Sequence, residues 1–429
     1  MSLSPQQQDI PGHRSDDDDL GPPPPPPPNI NPSALSPDAV GDTAGNNISN
    51  VPAARCWGCT YTPDVAWGKT QQGEQTVNEY VLLGELGRGS FGRVQLCERR
   101  VGEPPWRRFA MKIMSKPRLR RLSEYVNVPT GGMRKVTAED KMRQEIEIMR
   151  HLFHRSIVLL FEVLEEHEDW EDSSGQNEGR VCMIQEYMEG GPTMTFDDET
   201  GRFSRPAGAI VGGAAVAGSG DGNQQVYTED EAKPLFRDLV QGLLYLHGEG
   251  IVHRDIKPDN LLLFENGTLR ICDFGCARRI QITRRAPAEG GQGGKEEKDT
   301  GGEEEEEEEE GLTNSVGTYA FHSPESLTGD GAPYSGRRAD AWAAACTLYC
   351  WTFGCLPFHD ESLERLFEKI RTEELDVGKA VSPELASLLK GMMLRKNSTQ
   401  RIGLQAVLEH PWMQGVPPPP PPAGFDPNA

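Results

Sequence analysis

The densest run of reactive side chains is His253-Arg254-Asp255-Ile256-Lys257-Pro258-Asp259-Asn260. A loop so dense in functional groups is seldom only structural. Just downstream, Leu261 to Phe264 and Leu269 to Cys272 read as two strands around Glu265-Asn266-Gly267, a hairpin turn signal. Folding that hairpin brings Asn260, before the first arm, beside Asp273, after the second. Two oxygen ligands at one end of a hairpin suit Mg²⁺, which takes one or two carboxylate-type ligands together with phosphate oxygens. Alone, the hairpin reads better as a turn with polar ends; Asp255 and Lys257 beside it shift the balance towards chemistry.

A second cluster lies nearer the N-terminus. Tyr80 to Leu86 reads as a strand, Gly87-Arg88-Gly89-Ser90-Phe91-Gly92 as a glycine loop, and Arg93 to Cys97 as the returning strand. A dinucleotide-binding loop would open a helix. Here Val94 and then Gly102 and Pro104-Pro105 forbid one, so the loop joins two antiparallel strands and can fold over phosphates as a flap; on this signal alone an ordinary glycine-rich hairpin is an equal reading. The strand Phe109 to Met114 puts Ala110 and Lys112 on one face and Phe109, Met111 and Ile113 on the other. Met142, Ile146, Met149 and Phe153 mark the buried face of a helix, with Glu145 on the same stripe. A buried carboxylate is costly unless paired, which makes Lys112 and Glu145 natural partners; the plainer alternative is that Glu145 borders the stripe and reaches water.

The elements that must hold these groups are legible between Val77 and Gln414. Thr228-Glu229-Asp230-Glu231 is a capping box, followed by apolar residues at helical spacing from Phe236 to Leu244; Pro234 is expected to kink this helix or move its start. Two stretches break the periodicity, Thr195 to Asn223 and Arg284 to Gly311, the latter holding Glu303 to Glu310; both read as solvated inserts. Residues 1–76 are polar and rich in turns, with Asp16 to Asp19 and Pro22 to Pro28, and read as disordered. The end, 415–429, is a proline-rich tail of polyproline II character. Either proline tract is a candidate ligand for SH3 or WW modules, with spacing the simpler role. The 429 residues carry 44 Lys plus Arg against 66 Asp plus Glu, a formal charge of −22, which argues against nucleic acid as a partner. No run is apolar and long enough for a membrane span, and Met1 to Ile10 lacks the features of a secretory signal. The expected home is the cytoplasm or nucleus, where nine cysteines would be free thiols.

Together the motifs resemble those of eukaryotic protein kinases. The set is GxGxxGxV at Gly87 to Val94, AxK at Ala110 to Lys112, HRDxKxxN at His253 to Asn260 and DFG at Asp273 to Gly275, with Ser323-Pro324-Glu325, Asp340 and Arg401 following. The resemblance implies an α+β bilobal fold, with an N-terminal antiparallel sheet and one main helix (77–185) and a larger, mostly helical C-terminal lobe (189–414). It implies ATP and Mg²⁺, a protein substrate, and roles carried over residue by residue. Asp255 would accept or orient the proton of the substrate hydroxyl, Asn260 and Asp273 would hold the metal, and Lys112, fixed by Glu145, the α and β phosphates. Leu86, Gly87, Arg88, Gly89, Ser90, Phe91, Gly92, Arg93 and Val94 would cover the nucleotide. The adenine would lie between Val94 and Ala110 on one side and Leu262 on the other, against the Glu186-Tyr187-Met188 hinge, with Gln185 as gatekeeper. Lys257 would contact the γ-phosphate and, with Thr318, implies Ser and Thr acceptors. Glu325 would pair with Arg401, and Asp340 would tie down the catalytic loop.

Within kinases, Gln144-Glu145-Ile146, Phe161-Glu162-Val163-Leu164, Gly191-Pro192, Ala339 to Trp342, Thr347 to Cys350 and Arg401-Ile402-Gly403 resemble the calcium/calmodulin-dependent kinase kinase group. That likeness implies a role upstream of other kinases. Calmodulin itself is not expected as a partner, because the stretch Gln414 to Ala429 is proline-rich and not basic. Three further features carry simpler readings. Cys56-Trp57-Gly58-Cys59 lacks a second pair for zinc, and Cys346 and Cys350 read as packing in an apolar helix. Arg254 before Asp255 implies control by a phosphate on Ser315 or Thr313, with Glu303 to Glu310 as a possible substitute for that charge and a solvated run as the plainer reading. A pseudokinase scaffold has no need of Lys112, Asp255, Asn260 and Asp273 together, and a dinucleotide oxidoreductase fails on the strand after Gly92.

Overall fold

The computed structural model describes residues 59–416, apart from Ser90 and segments 101–106, 128–131, 167–178, 207–209, 212–213, 216–225, 285–306, 310–311, 313–316, 329–331 and 379–380. Ser90, Cys56, Thr313, Ser315, most of the glutamate run and both proline tracts lie outside the described residues.

The N-terminal lobe is built on an eight-stranded sheet. Its strands are β1 (Thr60–Thr62), β2 (Trp67–Lys69), β3 (Gln75–Val77), β4 (Tyr80–Arg88), β5 (Gly92–Arg99), β6 (Arg107–Ser115), β9 (Leu160–Glu165) and β10 (Arg180–Glu186). Between β6 and β9 come α1 (Lys116–Arg121), the hairpin β7 (Ser123–Asn127) and β8 (Met133–Thr137), and α2 (Ala138–Met149). The spatial order is β1-β9-β10-β6-β5-β4-β3-β2. All neighbours run antiparallel except β1, which joins β9 in parallel. Val77, Tyr80, Cys97, Phe109, Met111, Ile113, Leu164, Cys182 and Ile184 pack one face of it. Strands β1 to β3 begin inside the stretch whose composition reads as disordered; the correction is that Tyr61, Trp67 and Val77 give this short segment enough aromatic and β-branched surface to join a sheet edge.

The capping box predicted at Thr228 starts α3 (Glu229–Gly248). Pro234 does not move that start: it lies in the second turn, where it removes one hydrogen bond from a helix otherwise anchored by eleven buried residues. Before it come β11 (Gly191–Pro192), β12 (Thr195–Asp197), β13 (Arg202–Ser204), β14 (Ile210–Val211) and β15 (Ala214–Ala215). The β12–β13 hairpin corrects the reading of Thr195 to Asn223 as wholly solvated, because Phe203 is buried and its N–H donates to Gly354 O at 2.9 Å.

After α3, β16 (Ile251–Val252) pairs with β19 (Arg278–Arg279), enclosing the hairpin β17 (Leu261–Leu263) and β18 (Leu269–Ile271). Strand β20 (Ile282–Arg284) pairs with β21 (Glu307–Glu309), so part of the glutamate run continues the backbone ladder. The helices α4 (Gly336–Phe353), α5 (Leu363–Thr372), α6 (Pro383–Ala386) and α7 (Leu404–Glu409) complete the lobe. Helix α4 is buried along most of its length, with Cys346 and Cys350 fully enclosed as the packing reading expects. The cysteines of the described residues are free, and no helix among those residues is long and apolar enough to cross a membrane.

Candidate active site

The glycine loop joins β4 to β5 antiparallel, with Tyr80 opposite Arg99 and Arg88 opposite Arg93. The three glycines differ in what they permit. A Cβ on Gly92 would sit 2.0 Å from Ile113 O, so glycine there lets β5 lie against β6, whereas Gly87 and Gly89 face open space. Arg88 is engaged at the surface by Glu85 at 3.0 Å, and Leu86 and Phe91 are exposed.

Strand β6 alternates as its sequence predicts, with Phe109, Met111 and Ile113 buried and Ala110 and Lys112 half-buried. Lys112 Nζ donates to both Glu145 oxygens, at 2.7 and 3.0 Å, and lies 3.9 Å from Asp273 Oδ1. Burial alone would lower the Lys112 pKa, but Glu145 and Asp273 outweigh it and raise it, so the ammonium stays charged. Glu145 is 3% exposed. The buried stripe of α2 is Met142, Glu145, Ile148 and Met149. Phe153 does not continue it, because the helix ends at Met149 and Phe153 is 41% exposed. Gln144 Nε2 ties α2 to Ala277 O at 2.7 Å.

The β17–β18 hairpin closes as expected, Leu261 opposite Ile271, and Cys272 N donates to Asn260 O at 2.9 Å. Asn260 and Asp273 are thereby brought to one end. The Asn260 amide donates to Asp255 O at 2.8 Å and Asp255 Oδ2 at 2.9 Å, which leaves its carbonyl oxygen as the uncommitted end. Asp273 has a left-handed backbone (φ 60°) and is about half exposed. Leu262 is half-buried between the fully buried Leu261 and Leu263. Val94 and Ala110 are half-buried as well, whereas Glu186 turns its carboxylate to Arg270.

Asp255 is the centre of the most connected cluster. Lys257 Nζ approaches its Oδ2 at 3.1 Å, and Oδ1 accepts from Thr318 N at 3.0 Å and Thr318 Oγ1 at 3.2 Å. Burial pushes the Asp255 carboxyl up, but Lys257, His253 and the Thr318 amide outweigh it and hold it below the ordinary carboxylate range. Beneath this loop, the buried Asp340 of α4 accepts from His253 N at 2.9 Å and Arg254 N at 2.8 Å, with His247 Nε2 at 2.9 Å. Arg254 is held at φ +67° and its Nε donates to Cys276 O at 2.8 Å. Arg401 meets Glu325 at 2.6 and 3.0 Å, as the resemblance implies.

Two further contributors carry little signal in the sequence. His247 reaches the same Asp340 oxygen as His253 N, with only its position at the end of α3 as a signal. At Gly317 (φ +103°) a Cβ would lie 2.7 Å from Arg254 O and 2.9 Å from Asp255 Oδ1; a glycine directly before Thr318 was the available clue.

A cation paired within a cleft, a carboxylate kept ionised and two oxygen donors at a hairpin end suit transfer of a phosphoryl group to a hydroxyl. Comparison with known proteins agrees. The family model described as "Protein kinase domain" matches residues 80–413. The chain is 31% identical over 348 residues to the serine/threonine-protein kinase GRIK1 of Arabidopsis thaliana, covering 81% of this chain and 70% of that protein. It is 30% identical over 354 residues to GRIK2 of the same plant, covering 82% and 70%. To the serine/threonine-protein kinase stk11 of Xenopus laevis it is 30% identical over 366 residues, covering 84% and 66%. The chain therefore belongs to the protein kinase domain family, as a serine/threonine-protein kinase.

Proposed function

We propose that the cleft between β4–β6 and the β17–β18 hairpin binds the nucleotide, and that Asp255 accepts or orients the proton of the incoming Ser or Thr hydroxyl. The observation that carries the reading is the Asp255 cluster, in which one carboxylate meets Lys257, Asn260 and Thr318. The loop from Leu86 to Val94 covers the phosphates with backbone N–H groups, and Lys112, oriented by Glu145, neutralises the α and β phosphates. Lys257 serves the γ-phosphate. Val94, Ala110 and Leu262 enclose the adenine, with the Glu186 and Met188 backbone at its edge.

Asn260 and Asp273 fit Mg²⁺: both offer oxygen donors at one hairpin end, too few for a closed protein cage and suited to a metal completed by phosphates. When bound, the ion supplies charge neutralisation on the phosphates. Among the described residues, no three His, Cys, Asp or Glu side chains converge as a separate metal site.

The protein substrate in this reading is another kinase. Support comes from the likeness of Gln144-Glu145-Ile146, Gly191-Pro192 and Arg401-Ile402-Gly403 to the calcium/calmodulin-dependent kinase kinase group. The catalytic unit is taken as 77–414, a span containing the 80–413 match. Cytoplasm or nucleus is its proposed location, with the proline tracts as spacers or SH3 or WW ligands. The test is phosphorylation of a peptide panel drawn from kinase activation loops against generic Ser/Thr peptides. Preference for the activation-loop set is expected, and equal use of both sets removes the upstream role.

A further inference from the structure

Strand β1 lies outside the span matched by the family model, yet it reaches the helix that carries Glu145. It adds to the sheet edge beside β9, with Thr60 opposite Glu162, Tyr61 opposite Val163 and Thr62 opposite Leu164. From this edge the Tyr61 hydroxyl donates to Glu165 Oε2. Glu165 is 8% exposed and collects donors from two further elements. Lys116 Nζ donates to it at 3.2 Å, and Arg143 makes two bonds, at 2.6 and 2.9 Å.

Arg143 stands on α2, two residues before Glu145. Two residues are about 200° of helical turn, so these side chains leave opposite sides of the helix. Helix α2 is therefore held twice: by Glu145 on Lys112 inside the cleft, and by Arg143 on Glu165 away from it. Burial works to raise the Glu165 pKa, but the bonds from Arg143, Tyr61 and Lys116 outweigh it and bring the carboxyl down to about 2, so the hub stays charged. Without the Tyr61 hydroxyl, Glu165 Oε2 keeps Arg143 alone and the carboxylate is freer to rotate. Arg143 then has a competing partner in Glu139, already 3.4 Å away.

We propose that Tyr61 and Glu165 are positioning residues for phosphoryl transfer, β1 being a strap that sets α2 and, through it, the Glu145 contact on Lys112. This rests on the reading that Lys112 holds the nucleotide phosphates. The same strand supplies an internal control. The Thr62 hydroxyl donates to Glu162, which also accepts from Tyr80 Oη at 2.7 Å; this contact docks β1 without touching α2.

The experiment uses the full chain as wild type, Tyr61→Phe and Thr62→Val. It reads kcat and KM for ATP, the unfolding midpoint, and amide hydrogen exchange in Ala138–Met149 without nucleotide. Tyr61→Phe is expected to raise KM for ATP by about three- to tenfold and to speed exchange in α2, with the midpoint little changed, while Thr62→Val leaves KM and α2 exchange at wild-type values. A Tyr61→Phe protein that matches wild type in either KM or α2 exchange overturns the proposal, as does an equal effect of Thr62→Val. Failure of the phosphate-binding reading is separable: Glu145→Gln would then leave KM for ATP at the wild-type value, while α2 exchange still scores the strap.

Discussion

Lys257 Nζ donates to the Thr318 hydroxyl at 2.7 Å, across 61 residues of sequence. The same hydroxyl donates to Asp255 Oδ1 at 3.2 Å, so the segment leading to Glu325 is fastened to the His253–Asn260 loop at the carboxylate itself. Thr318→Ser keeps both bonds and is expected to hold kcat within about threefold, whereas Thr318→Val should lower kcat by about 10- to 100-fold with little change in KM for ATP. Steady-state kinetics of the two variants check this.

Glu145→Gln should separate nucleotide handling from folding. Truncating one partner of a buried ion pair leaves the other uncompensated, and Lys112 then retains Asp273, 3.9 Å away, as its anionic neighbour. KM for ATP is expected to rise about tenfold or more, and kcat/KM to fall by about 100-fold, with circular dichroism unchanged.

Gly317→Ala tests the close approach behind Thr318. The backbone there is at φ +103°, and the added methyl would sit 2.7 Å from Arg254 O, so the loop must move away from Asp255. A kcat loss of about 100-fold is expected, with an unfolding midpoint near that of wild type, since residue 317 itself is exposed.

The pH dependence follows from the signs of two shifts. The Asp255 carboxyl is held below the ordinary range, so it remains ionised and kcat should be flat from about pH 6 to about pH 8; an acid limb near neutrality in kcat would contradict its role. Glu165 has a folded pKa of about 2 against an ordinary 4.5. Its contribution to stability is therefore complete above that ordinary value and is lost as pH falls from about 4.5 towards 2. The stability gap between wild type and Glu165→Gln should close across that acid window, as read by denaturant titration.

Most of the candidate site is legible because it is local in sequence. His253 to Asn260 are contiguous, a three-residue turn brings Asn260 to Asp273, and strand alternation singles out Lys112. The Lys112–Glu145 pair spans 33 residues, yet it followed from the cost of burying either charge alone. The Tyr61–Glu165–Arg143 hub offered no such cue, since Tyr61 and Glu165 are 104 residues apart and β1 sits in a stretch whose average composition is that of a tail. Phe203 was hidden in the same way: one buried aromatic ring is invisible in an insert dominated by Gly and Ala. Phe153 failed in the opposite direction, because periodicity continues on paper beyond the point where α2 ends.

The central claim, a nucleotide cleft whose transfer step depends on Asp255, is tested most directly by following labelled γ-phosphate from ATP to a Ser/Thr peptide with wild type and Asp255→Asn. The wild type should label the peptide, and the variant should lose about 1,000-fold in kcat while binding ATP with unchanged affinity. Equal labelling by the two proteins would contradict the account.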